Sequence, residues 1–405
     1  MLVTLRRAWR AFTLFLSIAV IGAVLAACGT SSSRSASSIS AGVSGHTINW
    51  GIGSITTGPA VAYNEVLQGV IAHLDKVDAT GGINGYKFHF TSINTNYTAS
   101  GTILALKELA HDNLLGASVL ISPAPTQCMQ IAEQHHFALE AIAGERVVTS
   151  STSPYVYSVV PDYEDEAAME IRAMAQRGYK VIGFPYFTNT AGTAGLAGAQ
   201  AEAAKLGVKV VGDGIAVTAT DMTPVAVALH SANVDAVVAW LLGPQVAGLQ
   251  KVAPSVGLTL PNRAWWAFFG TFGGYLSEIG SAANGTTLDS FVVPPRPVTP
   301  IYSQYLAQMQ KEFPKSISPL SEEGWADAAG IQAAVQTVTA GGKRLTEARF
   351  VAAMQHLNLN TAQAGTAYSI HTTPTQHDWY SYLYVYTVNN GQYVSANKVL
   401  KAPRV

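Results

Sequence analysis

Thr47–Ile93 reads TINWGIGSITTGPAVAYNEVLQGVIAHLDKVDATGGINGYKFHFTSI, and three local patterns follow one another along it. Thr47 to Ile52 is a short β run. Ser54-Ile55-Thr56-Thr57-Gly58-Pro59 is rich in turn formers and reads as a loop. Beyond it Leu67, Val70, Ile71, Leu74 and Val77 recur at three-and-four spacing, which lays an apolar stripe along a helix. Gly81-Gly82-Ile83-Asn84-Gly85 ends that helix, because glycine tolerates the left-handed backbone of a helix terminus. Tyr86 to Ile93 is then a second strand. Two strands joined by such a helix pair in parallel through a right-handed crossover.

The alternation continues outward. Helices are expected at Thr102 to Asn113 and Gln127 to His135, with strands at Ser118 to Ile121 and Ala138 to Ile142. A second run starts after Tyr155 to Val160. It has helices at Glu164 to Arg177, Ala194 to Leu206 and Pro224 to Ser231, and strands at Lys180 to Phe184, Val208 to Val211 and Ala236 to Trp240. Two α/β lobes, each a doubly wound parallel sheet, fit this pattern better than one long sheet. Ligands of such sheets sit beyond the carboxyl ends of the strands, so two lobes share a cleft there. Tyr302 to Phe313, Glu322 to Thr339 and Thr346 to His356 read as helices. Trp379 to Val388 and Gln392 to Val394 read as a hairpin turning at Asn389-Asn390-Gly391.

Length and charge narrow the function. The 405 residues can bury a large core without disulfides, and the 12% charged fraction is about half of the usual quarter. Mean hydropathy is +0.20. A formal charge of -1 supplies no phosphate-neutralising surface, which excludes nucleic acid as a partner. Arg6, Arg7 and Arg10 lie in the first 27 residues, which hold no acid. Without those three bases the rest has 21 against 25 acids, a net of -4.

That basic start precedes an apolar run from Ala11 to Ala27, then Cys28 and a serine-rich tract from Ser31 to Ser40. The layout is that of a secretory signal, residues 1–27. A retained single-span anchor is the alternative, since the apolar run is at the lower limit for crossing a bilayer. Leu25-Ala26-Ala27-Cys28 resembles the bacterial lipoprotein lipobox, which implies that the Cys28 thiol accepts a diacylglyceryl group. Residues 28–45 then form a lipidated tether on the outer side of the cell membrane. Arg6-Arg7 hints at twin-arginine export, but the flanking Leu5 and Arg10 favour the general secretory route. With Cys28 lipidated, Cys128 is left alone and reads as a small buried hydrophobe at a helix start.

The order of motifs resembles the branched-chain amino-acid type of periplasmic binding protein, the type I solute-binding lipoproteins of ABC importers. Thr57-Gly58-Pro59, Ala62-Tyr63 and Gly81-Gly82-Ile83-Asn84-Gly85-Tyr86-Lys87 are its most specific part. Ile121-Ser122-Pro123, Pro154 to Tyr157 with Pro161, Gly178 to Gly183, and Asn389 to Val394 follow in order. The resemblance implies an N-lobe of 46–161 plus 288–355 and a C-lobe of 162–287 plus 356–405, joined by three crossings. It also implies hinge closure on a small-molecule ligand, delivery to an ABC transporter permease, a monomer, and no cofactor.

Carried over residue by residue, the family's ligand positions fall on Tyr63, Thr126, Ala143, Gly144, Glu145, Tyr186, Thr190 and Phe269. The pattern departs in several places, with Thr190 where the family has a tyrosine and Leu241 to Pro244 where another aromatic is common. Glu145 stands where the second loop normally offers Ser or Thr, and a carboxylate there repels a ligand carboxylate by about 4 kcal/mol at 4 Å and an effective dielectric of 20. In the C-lobe, Trp265-Trp266-Ala267-Phe268-Phe269-Gly270-Thr271-Phe272 has no acid where the family's ammonium-binding carboxylate lies. The run reads either as a buried strand or, near Phe269 to Phe272, as cleft wall, so the expected ligand is more apolar or aromatic than leucine. For an amine, Glu145 and Glu322-Glu323 are the available acids, although a solvated helix start explains the last pair equally.

No catalytic constellation stands out. The sequence has no G-x-S-x-G elbow, H-E-x-x-H helix or Walker A loop, and Thr56 occupies the third glycine position after Gly51 and Gly53. His135 and His136 beside Glu133 point about 100° apart on a helix and cannot share one metal. No enzyme and no metal are expected. A ligand-sensing receptor of the same fold and a cleft hydrolase are the competing functions.

Overall fold

A computed structural model describes residues 41–270, 274–292, 300–367 and 369–402. The expected leader, Cys28 and most of the tether lie outside the described residues. The chain enters the fold as β1 (Val43–Ser44), which pairs antiparallel with β2 (Thr47–Ser54), so the last residues assigned to the tether are already sheet.

From β2 the polypeptide passes through helix α1 (Asn64–Ala79) to β3 (Lys87–Asn94), as the opening stretch predicts. Val66, Leu67, Val70, Leu74 and Val77 are the buried face of α1. Helix α2 (Ala99–Ala110), β4 (Gly116–Leu120), α3 (Pro125–His135), β5 (Ala138–Ile142), the short α4 (Arg146–Thr149) and β6 (Val156–Ser158) complete the first sheet. Its parallel strands run in the order β3-β2-β4-β5-β6. Every residue of β4 and β5 is buried, as expected for central strands covered by helices on both faces.

The second sheet repeats the winding. Helix α5 (Tyr163–Gln176) leads to β7 (Val181–Phe187), then α6 (Thr190–Leu206), β8 (Lys209–Ile215), α7 (Thr223–Ser231), β9 (Ala236–Ala239), α8 (Gly243–Val252) and β10 (Ala264–Trp266). The short helix α9 (Tyr275–Ile279) and β11 (Thr287–Ser290) follow. The strand order β8-β7-β9-β10-β11 is parallel and matches that of the first sheet. Caps fix the helix starts: Asp162 accepts from the Glu164 and Asp165 amides at 3.0 and 3.1 Å, and Asn189 accepts from Gly192 at 3.0 Å. Each such cap stabilises its helix by roughly 1 kcal/mol.

The chain then returns to the first lobe. Helices α10 (Pro300–Glu312), α11 (Pro319–Thr339) and α12 (Glu347–Met354) lie there, with α11 packed along α1. The ladder of β12 (Asn358–Leu359) and β13 (Ile370–His371) follows. Finally β14 (Tyr382–Asn389) and β15 (Gln392–Lys401) extend the second sheet antiparallel from β11. Their two-residue turn places Asn390 and Gly391 at φ of 50° and 70°, the left-handed pair that the Asn-Gly signal calls for.

The crossings fall later than the expected 288 and 356. Strand β11 runs to Ser290 in the second sheet. Leu357 and Thr372 still hydrogen-bond to each other and to Met354 of the first lobe, and Ser158 bridges Asp378. Local sequence around 288 and 356 does not report which sheet a segment joins, whereas strand pairing defines it directly.

Candidate functional site

The carboxyl ends of both sheets face each other, and residues just beyond the strands meet between the lobes. From the first lobe come Tyr63, Tyr97, Ser122 after β4 and Ile142 at the end of β5. From the second come Tyr163, Phe187 at the end of β7, Leu242 after β9, and Phe268 and Phe269 after β10. The cavity they leave is narrow, about 30 Å³, so an organic ligand needs it to widen. The Tyr63 hydroxyl donates to the Phe269 carbonyl, which ties one lobe to the other.

Aromatic rings build the C-lobe wall. Phe269 makes edge contacts with Trp240 at 5.1 Å, Phe187 at 5.7 Å and Tyr163 at 6.1 Å between centroids. Tyr163 meets Trp240 at 5.5 Å. On the opposite side Tyr63 and Tyr97 stack at 6.3 Å. Burial pushes the Tyr63, Tyr97 and Tyr163 hydroxyls up, so all three stay protonated as donors at physiological pH.

A second tie crosses the cleft at its rim. Thr190 Oγ1 donates to the Ser122 carbonyl and lies 2.8 Å from Glu145 Oε1, while Ser122 Oγ donates to Glu145 Oε2 at 3.2 Å. The threonine has one proton and the carbonyl can only accept. When Glu145 is protonated at Oε1 it donates to Thr190, so both close contacts of the Thr190 hydroxyl are satisfied. Burial, opposed by the Thr190 and Ser122 hydrogen bonds, raises the Glu145 pKa and favours that form.

Of the residues singled out from sequence, Tyr63 and Phe269 line the cavity, and Glu145 with Thr190 form the rim. Ala143 is fully buried behind it. Gly144 permits a close approach: a Cβ there would stand 2.2 Å from the Pro161 carbonyl and 2.5 Å from the Tyr163 ring. Thr126 is exposed on the first turn of α3, and Tyr186 points toward Gly214 of β8, so neither joins the cavity. The alternation along β7 explains this, because Phe187 rather than Tyr186 faces the cleft. Trp265 and Trp266 are buried in β10, so the aromatic run is strand first and cleft wall only at Phe268 and Phe269. Phe272 lies outside the described residues. Cys128 is buried and its thiol pKa is raised by burial, so it serves as packing.

Several site residues carried no motif: Tyr97, Tyr163, Phe187, Phe268, Glu166 and Glu323. Glu322 and Glu323 correct a sequence-based expectation. They start a helix yet are each 1% exposed, because α11 packs along α1 and its first turns lie against the cavity rather than on the surface. Burial raises both pKa values well above the carboxylate range. Glu166, Glu170 and Asp289 form a further buried group whose oxygens lie within 4.8 Å of one another. The Trp240 and Trp265 indoles donate to Glu170 and Asp289 at 2.6 and 2.7 Å. Calcium takes six to eight oxygens. Three carboxyls, two of them already held by indoles, fit proton sharing better than a hard cation.

Residues 48–392 match the family described as periplasmic binding protein. Among curated proteins none matches the chain significantly. Solved structures do. A fatty acid ABC transporter substrate-binding protein from Thermomonospora curvata superposes with a TM-score of 0.79 at 19% identity, over 90% of this chain and 95% of that one. A branched-chain amino acid ABC transporter from Thermus thermophilus with bound valine gives 0.78 at 16% identity, over 88% and 96%. A solute-binding protein from R. palustris in complex with benzoate gives 0.73 at 15% identity, over 86% and 95%. At these identities the likeness speaks for the fold.

Proposed function

From the premise that this chain belongs to the periplasmic binding protein family, with its type I fold, we propose that it captures a small organic solute between its lobes. It passes that solute unchanged to the permease of an ABC importer. The observation that carries this reading is the interlobe cavity itself, lined by aromatic rings from both lobes and bridged by the Tyr63–Phe269 and Thr190–Ser122 hydrogen bonds. A ligand touching both halves favours the closed form by the difference in its affinity for the two forms, and hinge motion supplies the release step. The structural relatives bind fatty acid, valine and benzoate by their descriptions, which supports a small, partly apolar ligand here.

The remaining parts of the reading come from sequence. Residues 1–27 direct export, Cys28 takes the lipid, and the protein works as a monomer held at the outer side of the cell membrane. Glu145, Thr190, Tyr63 and Phe269 contribute to holding the lobes around the ligand, with Ala143 and Gly144 shaping the loop behind them.

The test is closure. Small-angle scattering and thermal unfolding of the protein are measured against amino acids, aromatic acids, amides and amines. The expected result is a ligand that reduces the radius of gyration and, at a hundred times its dissociation constant, adds about 2.7 kcal/mol of stability. Scattering and melting unchanged by every solute would count against capture.

A further inference from the structure

The inner wall of the cavity holds two carboxyl groups for which the protein supplies no counter-charge. Glu166 projects from the first turn of α5 in the second lobe, and Glu323 from the early part of α11 in the first. They are 2% and 1% exposed, and both line the cavity. Oε1 of each is buried without a hydrogen-bond partner among the described residues. Electrostatic repulsion couples the two across the lobe boundary.

More acid stands behind them. Glu170 and Asp289 back Glu166, and Glu140 and Asp327 back Glu323. None of the ion pairs among the described residues reaches any of these six acids. No lysine, arginine or histidine lines the cavity. An anionic ligand would be repelled wherever either carboxyl is ionised, and a neutral hydrocarbon would leave two buried polar oxygens unpaired. A cation answers both, and the faces of Tyr63, Tyr163 and Phe269 attract positive charge as well.

We propose that the cavity takes a small organic cation, an amine on an apolar or aromatic skeleton, with its ammonium between Glu166 and Glu323. The assignment rests on the solute-capture reading and deepens it. Two of the three N–H groups then donate to the two oxygens that otherwise have no partner, one from the carboxylate of each lobe. The ammonium therefore ties the halves together in the closed form.

The test compares matched skeletons on the full chain by calorimetric titration: hexylamine, benzylamine and 2-phenylethylamine; hexanoate, benzoate and phenylacetate; and the corresponding alcohols. The expected result is an amine bound about tenfold or more tighter than the acid and alcohol of the same skeleton. Glu166→Gln and Glu323→Gln each remove most of that preference while the alcohol's affinity holds. Unliganded melting of each variant shows that it is folded, and because the two acids sit in different lobes, either variant alone decides. Tighter binding of the acids or alcohols overturns the cation and leaves capture standing. An amine preference that survives in the glutamine variants overturns the two-carboxylate seat. Stabilisation by Ca²⁺ or Mg²⁺ alone that blocks amine binding reassigns the acids to a metal and also overturns the proposal. Silence from all nine compounds overturns it too, and the closure experiment on the wider solute set then judges capture separately.

Discussion

Glu140 gives the sharpest quantitative test of the buried acids. It sits on β5, 0% exposed, where Ser118 donates to Oε2 and Oε1 has no hydrogen-bond partner among the described residues. Burial pushes its pKa from the ordinary 4.5 to about 8, against the Ser118 hydrogen bond, which lowers it. Glu323 and Asp327 on α11 are the charged groups that face it, and Trp50 on β2 holds Ser118 in place through a 2.9 Å indole hydrogen bond. The folded state thus keeps a proton that the unfolded chain releases. Below pH 4.5 both states are protonated and the native fold bears no charge penalty. Between 4.5 and about 8 stability falls as pH rises, by about 1.4 kcal/mol per pH unit for this one group.

Glu140→Gln mimics the protonated form at every pH. Any cost of fitting the amide is the same in acid and at neutrality, so it cancels when the two are compared. The variant should therefore gain about 2.7 kcal/mol on the parent protein between pH 5 and pH 7. With roughly 360 folded residues at ~2.1 cal/mol/K each, that is a relative rise in melting temperature of about 3–4 °C. Differential scanning calorimetry of both proteins at the two pH values reads it directly. An equal melting difference at pH 5 and 7, or one of opposite sign, would show that Glu140 does not hold its proton in the fold.

Tyr63→Phe removes the hydrogen bond to the Phe269 carbonyl and should cost the closed form about 1 kcal/mol. That is roughly a fivefold weaker ligand dissociation constant with a larger unliganded radius of gyration, and an unchanged pair of values would contradict the tie. Gly144→Ala brings a Cβ within 2.2 Å of the Pro161 carbonyl. It should lose about 1–3 kcal/mol in urea unfolding as Tyr163 is displaced, whereas wild-type stability would show that the loop relaxes freely. Cys28→Ala should leave ligand binding intact and move the protein from the membrane to the soluble fraction. Intact mass of the native protein without added acyl chains would remove the lipid anchor from the account.

The alternation of helix and strand was readable because it is local. Leu67, Val70, Ile71, Leu74 and Val77 declare α1 by spacing alone, and Asn389-Asn390-Gly391 declares its hairpin. The site was readable only where a loop carries its own signature. Tyr63 and Glu145 follow recognisable turns and reach the cleft. Thr126 and Tyr186 were placed by position along the chain, and one residue of register decides whether a strand-end side chain meets the ligand or the sheet next door. Tyr97 and Tyr163 have no motif because their relevance comes from the opposite lobe. The buried acids were least legible of all. Glu322-Glu323 at a helix start looks like a solvated pair favoured by the helix dipole, and nothing in the local sequence reports that α11 passes beneath the cleft.

The two acid groups behave differently when the lobes part. Glu140 and Asp327 belong to one lobe and Glu170 and Asp289 to the other, and neither pair lines the cavity, so opening should leave both pairs buried. Glu166 and Glu323 face the cavity, so opening brings water to them and closing takes it away. Closing over both carboxylates at neutral pH therefore costs desolvation as well as mutual repulsion, unless a proton or a ligand cation enters with them. The aromatic wall opposes that cost, since Tyr63, Phe187 and Phe269 leave water on closing. The balance between the two terms makes closure conditional on charge. On the proposed seat an apolar skeleton would satisfy the wall and an ammonium the acids, and a molecule carrying both would draw the halves together more strongly than either part.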